Sequence, residues 1–200
     1  KRITHDTWEA VRAAAARCHE VTPQTAARFI SLLSRPPQLA TILSRLHELG
    51  VLEKLIPAFC RARGMLQFND YHKYTVDEHC IRAVRMATEF AGDSGPVGQV
   101  YAAIGQKEIL HLALLIHDLG KGYVEDHSEV GRNIATETAD HLGLPPHETE
   151  MLEFLVHKHL LMSRWALWHD INDPAVVLRV AIEVGSPELL RMMLVLTAAD

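Results

Sequence analysis

Two apolar stretches of this sequence end in a carboxylate. Ile109 to Ile116 reads IleLeuHisLeuAlaLeuLeuIle and runs into His117-Asp118, and Leu189 to Ala199 runs into Asp200. A helix that is apolar almost all round is buried, so both acids are delivered among core residues. An ionised carboxylate in such surroundings costs several kcal/mol unless it is paired or bound to a metal. Few cations lie nearby in sequence: Lys121 beside the first acid, Arg191 beside the second. The chain also carries 13 histidines in 200 residues, and imidazole is the commonest protein metal ligand. A divalent cation would satisfy both carboxylates and use the surplus of imidazoles. Each residue alone admits a plainer reading: Asp118 as a helix-terminal group hydrogen-bonded to a loop, Asp200 as an exposed chain end.

The elements that would position these groups are helical. Thr22-Pro23, Asp173-Pro174 and Ser186-Pro187 each place a capping side chain before a proline at the first helical position. Thr75-Val76-Asp77-Glu78 reads as a capping box opening the helix that carries His79. Gly50 and Gly143 follow apolar-periodic stretches and read as helix stops. The pattern predicts helices near 6–19, 23–34, 37–49, 51–63, 76–91, 101–119, 128–142, 146–160, 174–184 and 187–200. Residues 92–98 read as a flexible connection and 161–172 as a loop or short-helix excursion. No segment shows sustained alternation with β-branched enrichment, so no sheet is expected. Residues 1–64 carry no chemical motif and read as an N-terminal helical linker subdomain; residues 65–200 hold the groups described above. The apolar pattern up to Asp200 carries no stop signal, which reads as a piece of a longer polypeptide.

Composition narrows the function classes. Hydrophobic residues make up 48% and the formal net charge is -5. With no block of lysines and arginines, a nucleic-acid surface is not expected, because phosphate contacts need clustered cations. No apolar run is long enough for a bilayer span. Cys18, Cys60 and Cys80 are odd in number and scattered. They read as small core residues, in keeping with a reducing, cytoplasmic setting.

The motifs carry a family resemblance. His79, His117-Asp118-Leu119-Gly120-Lys121 and Asp200 closing an apolar helix resemble the HD superfamily of metal phosphohydrolases. The blocks 72–79 (HisLysTyrThrValAspGluHis), 117–122 (HisAspLeuGlyLysGly), 126–131 (AspHisSerGluValGly), 157–163 (HisLysHisLeuLeuMetSer) and 170–174 (AspIleAsnAspPro) fall in order. Together they are similar to the HD domain of bifunctional PII uridylyltransferase/uridylyl-removing enzymes, over about residues 23–200. The sequence has neither the Gly-Ser motif and paired aspartates of a transferase domain nor the small sensing domains of those enzymes, so the resemblance extends to the hydrolytic half alone.

That resemblance implies an all-α HD-domain helical bundle. It implies a divalent metal ion (Mn, Fe, Co, Zn or Mg) held by His79, His117, Asp118 and Asp200. Imidazole and carboxylate suit first-row transition metals, and the absence of thiolates argues against a structural zinc site. Asp118 would orient a water or take its proton. Lys121 has two readings: it holds a phosphate oxygen, or it is a favourable cation at a helix C-terminus. His127 and His159 could bind a second metal, contact substrate phosphate, or be hydrogen-bonded structural groups. His157 and His159, two apart on a helix, cannot both face the site. His72 is read as a surface, second-layer or substrate residue, and Asp77 and Glu78 as serving the helix start. His111 reads as a satisfied core histidine and Met192 and Met193 as core. Trp165 and Trp168 cover the core or stack on a uracil. The implied reaction removes UMP from a uridylylated PII signalling protein in nitrogen regulation. A general nucleotide phosphohydrolase and a metal-stabilised inactive regulatory module are the alternatives, and a nucleic-acid-binding domain is disfavoured by charge.

Overall fold

A computed structural model describes residues 4–17, 20–66 and 74–200. Cys18, His19 and His72 lie outside the described residues. Within them the chain is all-helical, with no strand, as the sequence pattern leads one to expect. The helices are α1 (His5–Arg17), α2 (Pro23–Leu33), α3 (Leu39–Glu48), α4 (Leu52–Leu55), α5 (Phe59–Ala62), α6 (Val76–Glu89), α7 (Pro96–Ala103), α8 (Lys107–Ile116), α9 (His127–Leu142), α10 (Pro146–His157), α11 (Leu161–Trp168), α12 (Pro174–Val184) and α13 (Pro187–Ala199).

The centre of the molecule is α8. All residues from Ile109 to Ile116 are buried, and α2, α6, α10 and α13 pack around them. Each leucine removed from water in this way stabilises the fold by about 2 kcal/mol. The single polar member, His111, is satisfied inside. Its Nδ1 lies 2.6 Å from the Leu33 carbonyl oxygen, which can only accept, so Nδ1 carries the proton and Nε2 accepts from the Tyr101 hydroxyl at 3.0 Å. Burial pushes His111 down to about 4 and Tyr101 up to about 12, which keeps the pair neutral. Met192 and Met193 are buried as expected.

Caps explain several boundaries. The Thr22 hydroxyl accepts from the Thr25 amide, Asp173 from Ala175 and Ser186 from Leu189. Gly143 closes α9 in the left-handed region, with φ of 68°. Three expectations need correction. The stretch 101–119 is not one helix: α7 begins at Pro96, inside the supposed connection, and the chain breaks between Ile104 and Gln106. One remote and one local side chain satisfy that break. Glu188 accepts from the Gly105 amide at 2.7 Å, and the Lys107 ammonium donates to the Ile104 carbonyl at 2.6 Å. The stretch 51–63 divides into α4 and α5 because Ile56, before Pro57, leaves the helical region with φ of -133° and ψ of 89°. Thr75 makes no side-chain cap, and Asp77 does not merely serve the helix start.

Asp77 instead ties α6 to the N-terminal helices. It is buried, and its Oδ2 accepts from the Gly64 amide at 3.0 Å and from His47 Nε2 at 2.9 Å. His47 Nδ1 lies 2.9 Å from Glu53 Oε1, which also accepts from Arg63. Both ring nitrogens of His47 face carboxylates and must donate, so the ring is an imidazolium. The Glu53 contact chiefly raises its pKa above 6.5. Burial alone would raise Glu53 and Asp77; hydrogen bonds, including those from His47, outweigh it and hold both below their ordinary 4.5 and 3.8. A raised folded-state pKa means that the His47 contribution is complete below 6.5 and fades as pH rises through the raised value. The depressed carboxylates contribute fully above 4.5 and fail as pH falls through their lowered values. His47→Ala should therefore lower unfolding free energy by about 2 kcal/mol, a deficit largest between pH 4.5 and 6.5 and shrinking at alkaline pH. Urea unfolding of both proteins across pH measures it.

Candidate metal centre

Three separate elements bring the acids and imidazoles together. The first turn of α6 supplies His79, the turn after α8 supplies His117 and Asp118, and the end of α13 supplies Asp200. One ligand atom from each of these four residues lies within 4.8 Å of the others. His79 Nε2 is 2.9 Å from Asp200 Oδ1, 3.2 Å from His117 Nε2 and 3.4 Å from Asp118 Oδ2. His117 Nε2 is 3.1 Å from Asp200 Oδ1 and 3.6 Å from Asp118 Oδ2. His117 and Asp118 are buried, and Asp200 and His79 are partly open.

The donor set fits a cation. His117 Nδ1 donates to the Leu114 carbonyl oxygen at 2.8 Å, so Nε2 is the atom turned into the cluster: it donates to Asp200 while it carries a proton and presents a lone pair once a cation displaces that proton. Burial opposes charge on Asp118, but the His117 and Lys121 charges hold its carboxyl below the usual range. Burial opposes charge on Asp200 as well, and hydrogen bonds from His117 and His79 hold it lower still. His117 is disfavoured as a cation by burial, yet Asp118 and Asp200 pull it well above its ordinary value. Two ionised acids and two inward-facing imidazole nitrogens create a demand for positive charge at their centre, which a divalent ion meets. Cys80, fully buried on α6 with its thiol pushed up by burial, is a neutral core group.

A second cluster shares Asp118. One ligand atom each of Asp118, His127 and His159 lies within 4.8 Å of the others. Asp118 Oδ2 faces the first cluster, whereas Oδ1 is 3.7 Å from His159 Nε2. His159 Nδ1 donates to the Val156 carbonyl at 2.7 Å, again leaving Nε2 inward. Burial above all, with the His117 charge, lowers its pKa to about 4, so it is a neutral imidazole at physiological pH. His157 points away, 3.0 Å from Glu129. The separation of the two rings is not helical, because α10 ends at His157 and His159 sits in the following turn.

Lys121 Nζ lies 2.5 Å from Asp118 Oδ2. The α-helix does not continue to bring it there. Tight turns do, with the Leu119 amide donating to Ile116 and the Lys121 amide to Asp118. The turn passes so close to α9 that a Cβ on Gly120 would overlap the His127 carbonyl and lie 2.7 Å from the Gly131 nitrogen. Sequence reasoning gave Gly120 no role, and only this contact reveals it. It likewise missed Arg61, which donates to the Gly122 carbonyl at 3.0 Å and stacks 3.9 Å from the Tyr123 ring, fixing the rim of the same turn. Trp168 does not cover the core: it is 80% exposed, while Trp165 stacks on His169 at 4.2 Å.

The comparisons with known proteins cover most of the chain. The HD domain family matches residues 76–195. The bifunctional uridylyltransferase/uridylyl-removing enzyme of Gluconobacter oxydans (strain 621H) is 42% identical over 196 residues, which is 91% of this chain and 21% of that protein. The chain thus spans about a fifth of the length of that curated relative.

Gly120→Ala must push the turn that carries His117, Asp118 and Lys121 away from α9. It should cost about 3 kcal/mol of stability and lower metal affinity at both clusters, read by denaturant unfolding and metal titration.

Proposed function

The chain belongs to the HD domain family, and from that membership we propose that it is a metal-dependent phosphodiesterase that removes UMP from a uridylylated PII-type signalling protein. The observation that supports this most is the convergence of His79, His117, Asp118 and Asp200 with Lys121 against Asp118. The relative similar over this same stretch bears a uridylyl-removing name. Among the described residues no helix is long and apolar enough to cross a membrane, and a cytoplasmic setting belongs to the same reading.

In this reading His79, His117, Asp118 and Asp200 would hold one divalent ion, and Asp118, His127 and His159 would hold a second. A divalent ion held there would supply Lewis acidity for activating water and offsetting phosphoryl charge. The chain's own groups do the rest. Asp118 orients the attacking water and takes its proton. Lys121, held on Asp118 in the substrate-free site, turns to a non-bridging phosphate oxygen and stabilises the charge that grows there. The Leu114 and Val156 carbonyls keep His117 and His159 in the tautomer that presents Nε2. As the water oxygen bonds to phosphorus, the P–O bond to the uridylylated tyrosine of the partner breaks, the tyrosine oxygen receives the proton taken by Asp118, and the products are UMP and the unmodified tyrosine.

Metal-loaded protein is expected to release UMP from uridylylated PII faster than it attacks any member of a panel of free nucleotides. Preference for a small nucleotide would overturn the substrate assignment. Failure to cleave even a chromogenic phosphodiester would leave a metal-stabilised regulatory module. His117→Ala should lose metal and activity together, by elemental analysis and the same assay, and unchanged metal content would count against the ligand set. Lys121→Ala should keep its metal and lose about a hundredfold in kcat.

A further inference from the structure

Helix α12 is apolar on nearly every side, ProAlaValValLeuArgValAlaIleGluVal, yet it buries only Val176 and Val184. Leu178 is 61% exposed and Ile182 71%, four residues apart on one stripe. Val177 beside them is also exposed, and across the hairpin closed at Gly185–Ser186 the exposed pair Leu190 and Leu194 repeats the spacing on α13. An all-round apolar helix is covered in its working state, and an exposed stripe of this kind marks an interaction surface.

We infer that the open face of α12 is a self-association surface, occupied by a second copy of this chain paired antiparallel about a two-fold axis. A two-fold contact needs a patch complementary to itself, and the charges on α12 meet that need. Arg179 and Glu183 are opposite in sign and four residues apart, beside Leu178 and Ile182. A copy laid antiparallel over the middle of the helix sets Leu178 against Ile182 and Arg179 against Glu183, each twice. Arg179 makes no ion pair with the described residues, so it is available to the copy. Glu183 lies 3.3 Å from Lys158, both about a third exposed, a surface pair too weak to hold it from a second partner. The two-fold arrangement leaves His79, His117, Asp118 and Asp200 in each copy untouched, since none of them lies on α12.

Sedimentation velocity and light scattering over a wide concentration range test this on the 200-residue protein. The expected result is a mass that rises with concentration to twice that of one chain. Leu178→Glu and Ile182→Glu should hold the mass at one chain while leaving helicity and metal content unchanged. Arg179→Glu and Glu183→Arg should each self-associate poorly, and a mixture of the two should form a heterodimer, because each then meets the opposite charge. A single-chain mass at every concentration, as expected if this face is covered by another protein or another part of a longer polypeptide, overturns the inference. Self-association undisturbed by Leu178→Glu and Ile182→Glu overturns it too, and a charge-swapped mixture that fails to pair overturns the antiparallel geometry.

Discussion

A carboxylate that is ionised and nearly sealed from water is the constraint on which this structure turns. Asp118 is buried at the end of α8, where burial alone would neutralise it. It stays charged because cationic and polarisable groups surround it. The Lys121 ammonium sits against one oxygen, and imidazoles from α6, the turn after α8 and the α10–α11 turn stand around both. Removing one such partner leaves a buried charge uncompensated, which costs more than the pair itself contributes. The fold is therefore committed to keeping a positive charge at this place, and a bound divalent ion is the strongest way to do so.

Packing delivers that commitment. Because α8 is apolar on all faces, its neighbours can close around it, and the chain leaves its end only by turning sharply at His117–Lys121. The absence of a side chain at Gly120 lets this turn rest on the start of α9, which brings His127 near Asp118. The backbone carbonyls of Leu114 and Val156, both near helix ends and without a full set of intrahelical partners, orient the two buried imidazoles. The groups left over by helix termination are thus put to use in aiming the ligands.

Much of this could be read from residues alone. The all-round apolarity of 109–116, the two acids that close apolar helices, and the proline-led caps at 23, 174 and 187 all depend on local chemistry, and local chemistry is what a sequence displays. What escaped reading depends on distant partners. The Gly105 amide in the break at 104–106 is satisfied by Glu188, which is remote in sequence. Asp77 reads as a helix-start residue because nothing near it in sequence announces His47. Trp168 reads as core because tryptophan usually is; its exposure follows from the short α11 presenting that side outward. Helical spacing says only that His157 and His159 cannot both face the site; the end of α10 and the Val156 carbonyl decide that His159 is the one that does.

The region matched by the HD domain family begins at Val76, but the position of His79, the first member of the cluster in the chain, is set from outside it. His79 stands one turn into α6, and the preceding turn is anchored by Asp77 to the ring of His47 on α3 and to the Gly64 amide. The same N-terminal stretch provides Arg61, which grips the Gly122 carbonyl and the Tyr123 ring just beyond Lys121. One continuous core runs from Ala26 and Phe29 through Leu43 and Phe59 to Met192 and Ala199. A site whose ligands must meet within a few ångströms tolerates little movement of α6 against α8. The helices before the matched region therefore act as a brace, and the ion network at His47 is where that brace is fastened.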